Sequence, residues 1–180
     1  MVVATKINTM KKLSFLIIFI VIAFMGCTPD NDFTVGTKQD RVKQLSGTWT
    51  LTSVTQTDLF AKNYNYNDPA NPNVNLISQN ISGIAPFSNI KLTLGLNGTA
   101  PGTFTIDYGS APPVFNLTAG TWALDNNITP GKLNLINGTD TTKLVLYNLN
   151  YLSANQFGLS RIRYEGAKPV IQYDYAFQKN

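Results

Sequence analysis

From residue 47 onward, apolar and polar positions alternate in short runs, the period-two pattern of strands that bury one face. In residues 90–97, Ile90, Leu92, Leu94 and Leu96 point one way, and Lys91, Thr93, Gly95 and Asn97 the other. A helix would scatter residues so spaced around its circumference. The alternation recurs at Phe104, Ile106 and Tyr108, at Phe115, Leu117 and Ala119, and at Leu133 and Leu135. It returns at Phe157, Leu159 and Arg161 and at Ile171, Tyr173, Tyr175 and Phe177. Turn-forming pairs separate the runs: Asn97-Gly98, Pro101-Gly102, Pro112-Pro113, Asn126-Asn127, Pro130-Gly131 and Asn137-Gly138. With residues 48–57 as the first strand and residues 143–149 included, the pattern predicts about eight consecutive antiparallel strands. The apolar parity changes between Ala119 and the pair Trp122 and Leu124, so Gly120 is the expected site of a β-bulge.

One amphipathic face per strand and no second helical layer predict an all-β fold, an antiparallel eight-stranded barrel, with a two-sheet sandwich as the alternative. A short helix precedes the strands: in residues 38–45 (KQDRVKQL), Val42 and Leu45 fall three apart on one side and are expected to cap the domain. The long segment 58–89 breaks the alternation. It holds Tyr64, Tyr66, eight Asn and three Pro, and far exceeds an ordinary hairpin loop of ~2 to 5 residues.

The N-terminus carries a different pattern. Lys11 and Lys12 precede an apolar run over residues 13–25, and Gly26 and Cys27 follow. A basic start, a short apolar core and a small residue before a cysteine compose a secretory signal. As a membrane span the run would be about 20 Å long, short of the ~30 Å hydrocarbon core. Initiation at Met10, directly before the two lysines, fits the same pattern. Residues 28–37 are polar and read as a tether, which leaves residues 38–180 as a single domain.

Phe24-Met25-Gly26-Cys27 resembles the bacterial lipobox, with Phe24 where that pattern usually has Leu. The resemblance implies cleavage before Cys27 and its acylation with chains such as palmitate, so the membrane becomes a partner through a lipid anchor. In Gram-negative sorting an Asp directly after the cysteine resembles an inner-membrane retention signal. Thr28 stands there, so the outer membrane is expected, and Asp30 and Asp32 resemble the acidic patch of surface-exposed lipoproteins.

Processing changes the charge that matters. The chain has 14 basic and 10 acidic residues, but Lys6, Lys11 and Lys12 leave with the signal, so the mature chain carries 11 against 10. No basic cluster remains to form the electrostatic footprint of a nucleic-acid binder. The chain has no His, and Cys27 is its only cysteine. Cys-His and Ser-His-Asp catalysis, the usual zinc sites and a disulfide framework are therefore excluded, and no metal or cofactor is expected.

Gly47-Thr48-Trp49, opening the first strand after a short helix, resembles the Gly-x-Trp signature of lipocalins and of bacterial lipocalin-like lipoprotein domains. That family's later Thr-Asp-Tyr signature is missing, so the resemblance is to the general architecture over residues 38–180. It implies a barrel whose bottom the helix closes, with Trp49 inside near the closed end and a late-strand arginine, Arg161 or Arg163, lying against it. It also implies that segment 58–89, like the first lipocalin loop, folds over the mouth of the cup. A second Gly-x-Trp, Gly120-Thr121-Trp122, reads as chance recurrence.

Trp49, Leu92, Leu94, Phe104, Trp122, Tyr173 and Tyr175 are the expected inward residues, and their bulk predicts a partly packed interior. An eight-stranded barrel either fills its interior or holds one small ligand. Trp49, Tyr64, Tyr66, Trp122, Arg161, Tyr173 and Tyr175 are the candidate ligand-binding residues, for a small apolar or amphipathic molecule or, through the Tyr- and Asn-rich loop, a glycan. The expected role is non-catalytic binding, with an interaction or carbohydrate-binding accessory module of the cell envelope as the alternative. Asp107, Asp125, Asp140, Glu165 and Asp174 are the acid-base candidates for a glycoside hydrolase, the third reading. Asn97-Gly98-Thr99 and Asn137-Gly138-Thr139 match glycosylation sequons but read as turns, and Asp140-Thr141-Thr142 resembles a bacterial O-glycosylation motif.

Overall fold

The alternating runs fold into one antiparallel sheet that closes on itself. In a computed structural model, the described residues are 39–63, 69–70 and 77–180. The signal segment with Cys27, the tether, Tyr64 and Tyr66 lie outside them. Lys38–Asn180 forms one compact unit. Its strands are β1 (Gly47–Asp58), β2 (Ser78–Asn80), β3 (Lys91–Asn97), β4 (Ala100–Asp107), β5 (Ala119–Leu124), β6 (Lys132–Asn137), β7 (Asp140–Tyr147), β8 (Gln156–Glu165) and β9 (Lys168–Lys179). Neighbours pair in the order β2-β1-β3-β4-β5-β6-β7-β8-β9, and β1 also pairs with β9. The eight strands other than β2 make a closed antiparallel barrel, and β2 adds a short ninth strand on the far half of β1.

Three of the hairpins turn through two residues. Pairs Asn97 with Ala100, Asn137 with Asp140 and Glu165 with Lys168 leave Gly98-Thr99, Gly138-Thr139 and Gly166-Ala167 as the loops. The glycines take φ of +63°, +59° and +60° and their successors do not, the Gly-first geometry that matches the right-handed twist of the flanking strands. The asparagines of the two sequons are thus the last residues of their strands.

The closed end is packed. Helix α1 (Arg41–Leu45) is capped by the Asp40 carboxylate, which accepts from the Lys43 amide at 3.0 Å, and buries Val42 and Leu45 against the barrel. Trp49 Nε1 donates to the Leu45 carbonyl at 2.7 Å, satisfying a helix end and tying α1 to β1. Phe157 meets the Trp49 ring edge-on at 4.6 Å, and Phe177 stacks on Phe157 at 5.3 Å. Lys179 Nζ lies 5.0 Å from the Trp49 ring centre, so a lysine of β9 takes the place expected for Arg161 or Arg163.

Four local expectations need correction. Phe115, Leu117 and Ala119 do not form a strand: Asn116 adopts φ +57°, which lets Phe115 and Leu117 both turn inward from an irregular loop while Ala119, the first residue of β5, is exposed. Gly120 is not a bulge, because Thr103, Phe104 and Thr105 pair in continuous register with Thr121, Gly120 and Ala119. The ladder instead breaks its register in β1, where Thr52 is skipped between Leu51 and Ser53, and opposite Gly95. Leu96, past that second irregularity, is 42% exposed rather than inward, since it reaches the rim beside the hairpin turn. The segment 58–89 is not wholly irregular, since it contains α2 (Leu59–Asn63), β2 and a 3-10 turn at Phe87–Asn89.

What Gly120 supplies is close approach. A Cβ there would lie 2.0 Å from the Ile136 carbonyl oxygen and 2.9 Å from the Phe104 ring. Gly120→Val is therefore expected to cost about 3 kcal/mol and lower Tm by roughly 10 °C. Gly83→Ala, where nothing lies within 4 Å, should stay within about 0.5 kcal/mol. Thermal unfolding followed by circular dichroism checks both, and equal Tm values for the two variants would refute the packing account.

Candidate functional site

At the other end of the barrel the strands part. Beyond Thr50, β1 no longer pairs with β3, and its free edge is taken over by the returning segment: Ile81 N donates to the Val54 carbonyl at 2.9 Å, and Val54 N to Ser82 Oγ at 2.9 Å. The β4–β5 ladder likewise spans only three pairs before residues 108–118 loop away. These two departures leave a cavity of about 830 Å³ in the mouth. Val54 and Gln56 of β1, with Tyr173 and Tyr175 of β9, form one wall. Ile81, Ile84 and Phe87 come from the returning segment, and Pro112, Pro113, Val114 and Asn116 from the 108–118 loop. Residues 161–164 of β8 complete the lining.

The Thr52 irregularity decides which β1 side chains reach this space. Trp49 and Leu51 face inward at the closed end, and after the skipped residue the inward set becomes Val54 and Gln56. Cross-strand register then aligns Val54 with Tyr175 and Gln56 with Tyr173 on one side, and Tyr175 with Leu159 and Tyr173 with Arg161 on the other. Arg161 Nη1 donates to the Val114 carbonyl at 2.7 Å, tying β8 to the 108–118 loop. Tyr108 OH donates to the Leu117 carbonyl at 2.8 Å and holds the same loop from β4's end. The Tyr173 and Tyr175 rings stack with centroids 6.4 Å apart, and Phe115 meets Tyr175 edge-on at 4.9 Å.

The structure thus brings together three of the residues singled out from the sequence, Arg161, Tyr173 and Tyr175. It separates two others from them. Trp49 is fully buried in the closed-end packing, and Trp122, 2% exposed, spends its Nε1 donor on the Gly95 carbonyl at 2.6 Å. Neither lines the cavity. Gln56, Asn116 and the apolar residues of segment 81–87 were missed, because a one-residue register break and a loop's return path leave no periodic mark in a sequence.

Among the described residues no carboxylate lines the cavity. Asp107 accepts from the Gly109 amide at 2.9 Å in a turn, and Asp140 and Glu165 are exposed at hairpin ends. Asp125 accepts from the Lys132 and Gly131 amides at 2.9 Å each, and those bonds, Lys132 first, hold its carboxyl below the usual range. Asp174 sits on the outer face, bonded to Ser160 Oγ and to Gln172 Nε2.

Burial shifts three phenols. It raises Tyr175, with the Arg161 charge pulling partly back, raises Tyr108, and pushes Tyr147 up to about 12, where Asp174 adds to the effect. In the unfolded chain these tyrosines ionise near 10. Below that pH both states hold the protons and stability is unaffected; above it the unfolded chain ionises first, so stability falls as pH rises from about 10 to about 12. The urea midpoint is expected to drop between about pH 9 and about pH 11, and less so in Tyr147→Phe. An equal drop in the wild type and that variant would show that Tyr147 ionises freely in the fold.

Neither a curated protein nor a solved structure gives a significant match to this chain. The profile of one family does match, over residues 24–178, a range that takes in both Cys27 and nearly all of the barrel. The chain belongs to that family, the domain of unknown function DUF5004.

Proposed function

We propose that this protein is a lipid-anchored lipoprotein of a Gram-negative outer membrane whose barrel holds one small apolar or amphipathic ligand and does not transform it. The observation that carries the reading is the mouth cavity. Its volume of about 830 Å³ lies within the ~300 to 1,000 Å³ of small-molecule sites, and its walls are mainly apolar and aromatic with a few polar groups. The packed closed end supports the same reading, since it makes the barrel a cup with one opening. A non-catalytic role is supported by the placement of the described carboxylates outside the cavity. The anchor rests on the lipobox-like residues at Cys27, and Thr28 directs the reading to the outer membrane.

A second reading, a protein-interaction module, draws on the same mouth. Ile84 is 78% and Tyr164 57% exposed at the cavity's edge, where apolar side chains in water favour a covering partner. The carbohydrate-binding variant drew on Tyr64 and Tyr66, which lie outside the described residues.

Native mass spectrometry of the full chain, purified from membranes without delipidation, tests the ligand. An acyl anchor is covalent and its mass survives denaturation, whereas a held ligand should appear as a discrete further mass that denaturation removes. A mass of polypeptide plus anchor alone, at every extraction tried, would overturn the carrier reading in favour of the interaction module. For the anchor, Cys27→Ala is expected to move the protein from the membrane pellet to the soluble fraction. Unchanged fractionation would overturn it.

A further inference from the structure

We infer that the ligand is an acidic amphiphile, a single-chain carboxylic acid whose carboxylate is held by Arg161 with the hydroxyls of Tyr173 and Tyr175 while its apolar chain runs toward the mouth. This rests on the ligand-holding reading and narrows its chemistry.

The argument begins with the register. Along β1, β8 and β9 the inward positions near the closed end are apolar, among them Trp49, Leu51, Phe157 and Phe177. Two steps toward the mouth, Gln56, Tyr173 and Arg161 lie side by side on three neighbouring strands, and all three line the cavity. A row of polar side chains therefore crosses the wall just above the buried apolar layer. An interior that needed only packing would carry none, because burying polar groups without partners is costly.

The donors in that row are underused. Arg161 is half-buried and has five N–H donors, yet among the described residues its one hydrogen bond is Nη1 to the Val114 carbonyl. No fully buried side-chain nitrogen or oxygen among the described residues lacks a partner, so the remaining guanidinium nitrogens face space that solvent or a ligand reaches. The same holds for the Tyr175 hydroxyl, which has no hydrogen-bond partner among the described residues although its residue is only 3% exposed. Tyr175 stands one inward position below Tyr173, the strand partner of Arg161, and both Arg161 and Tyr175 line the cavity, so charge and hydroxyl face the same space.

Charge balance then selects the ligand. Arg161 and Arg163 line the cavity, and among the described residues no Asp or Glu does. A half-buried guanidinium among apolar walls is stabilised by an anion, and its planar fork matches a carboxylate through two parallel hydrogen bonds. Arg163 is exposed, so the half-buried part of the site holds one guanidinium, and with neutral phenolic donors beside it this suits a single negative charge. Ile81, Ile84, Phe87 and Val114 line the same cavity and offer an apolar path for the chain.

The test uses the full chain in phosphatidylcholine nanodiscs, with empty nanodiscs correcting for partition, and carboxyl-labelled decanoate, decanol and decyl phosphate as probes. Decanoate is expected to bind about tenfold more tightly than decanol near neutral pH, and Arg161→Gln to narrow that preference about tenfold. Tyr175→Phe keeps the ring's packing on Phe115 and should narrow the same preference several-fold. The carboxyl carbon resonance should titrate at lower pH in the complex than in free decanoate, and this shift should vanish in Arg161→Gln. Equal affinities for decanoate and decanol, or variants without effect, would overturn the inference and leave the carrier reading standing. Tighter binding of decyl phosphate than of decanoate would overturn the carboxylate assignment. Binding of none of the three would count against the carrier reading itself.

Discussion

The pairing of β1 with β9 is the constraint on which the rest of this structure depends. It runs from Trp49 opposite Lys179 to Asp58 opposite Ile171 and joins the two ends of the domain. Thr50 Oγ1 donates to Asn180 Oδ1 at 2.6 Å, and the Asn180 amide to the Thr48 carbonyl at 3.0 Å, so the seam is held to the last residue. Without it, β1 and β9 would each present a long unpaired edge, which in water invites pairing between chains. Closing a loop of this length costs conformational entropy before any contact is gained.

The seam also explains the cavity. β9 accompanies β1 along its whole length, but β3 does so only as far as Thr50. A closed ladder at one end and a parted one at the other turn a single sheet into a cup. The returning segment around Ile81–Phe87 and the Pro112-Pro113 loop cover the parted side without filling it, leaving the cavity between them. The interior therefore divides by height: aromatic packing around Trp49 and Phe157 below, then the row Gln56, Tyr173 and Arg161, then the open mouth.

That division bears on function. The cavity wall and the packed floor are made by the same strands, so Tyr175 stands on backbone paired on both sides, with Val54 and Leu159, and Arg161 on backbone paired with Tyr173, rather than on loops. Arg161 also links wall to loop through the Val114 carbonyl, so whatever occupies the cavity meets a group already held in place.

The strands, their antiparallel succession, the capping helix and the inward course of Leu92, Leu94, Phe104, Trp122 and Tyr175 were legible in the sequence, because a side-chain period of two and a glycine at a turn are local properties of the chain. The inward parity of Arg161 and Tyr173 was legible too, since each continues an alternating run, whereas the expected contact of Arg161 or Arg163 with Trp49 was not realised. What stayed hidden was set by contacts between distant segments. The register break at Thr52 turned Gln56 inward, the left-handed Asn116 folded Phe115 and Leu117 into the core without a strand, and Lys179 reached the Trp49 ring from the far end of the chain. The sequence by itself determined that a barrel with an amphipathic wall would form. Only the tertiary structure decided where that barrel is packed and where it is open, since a strand carries its own periodicity but not the point at which its neighbour leaves it.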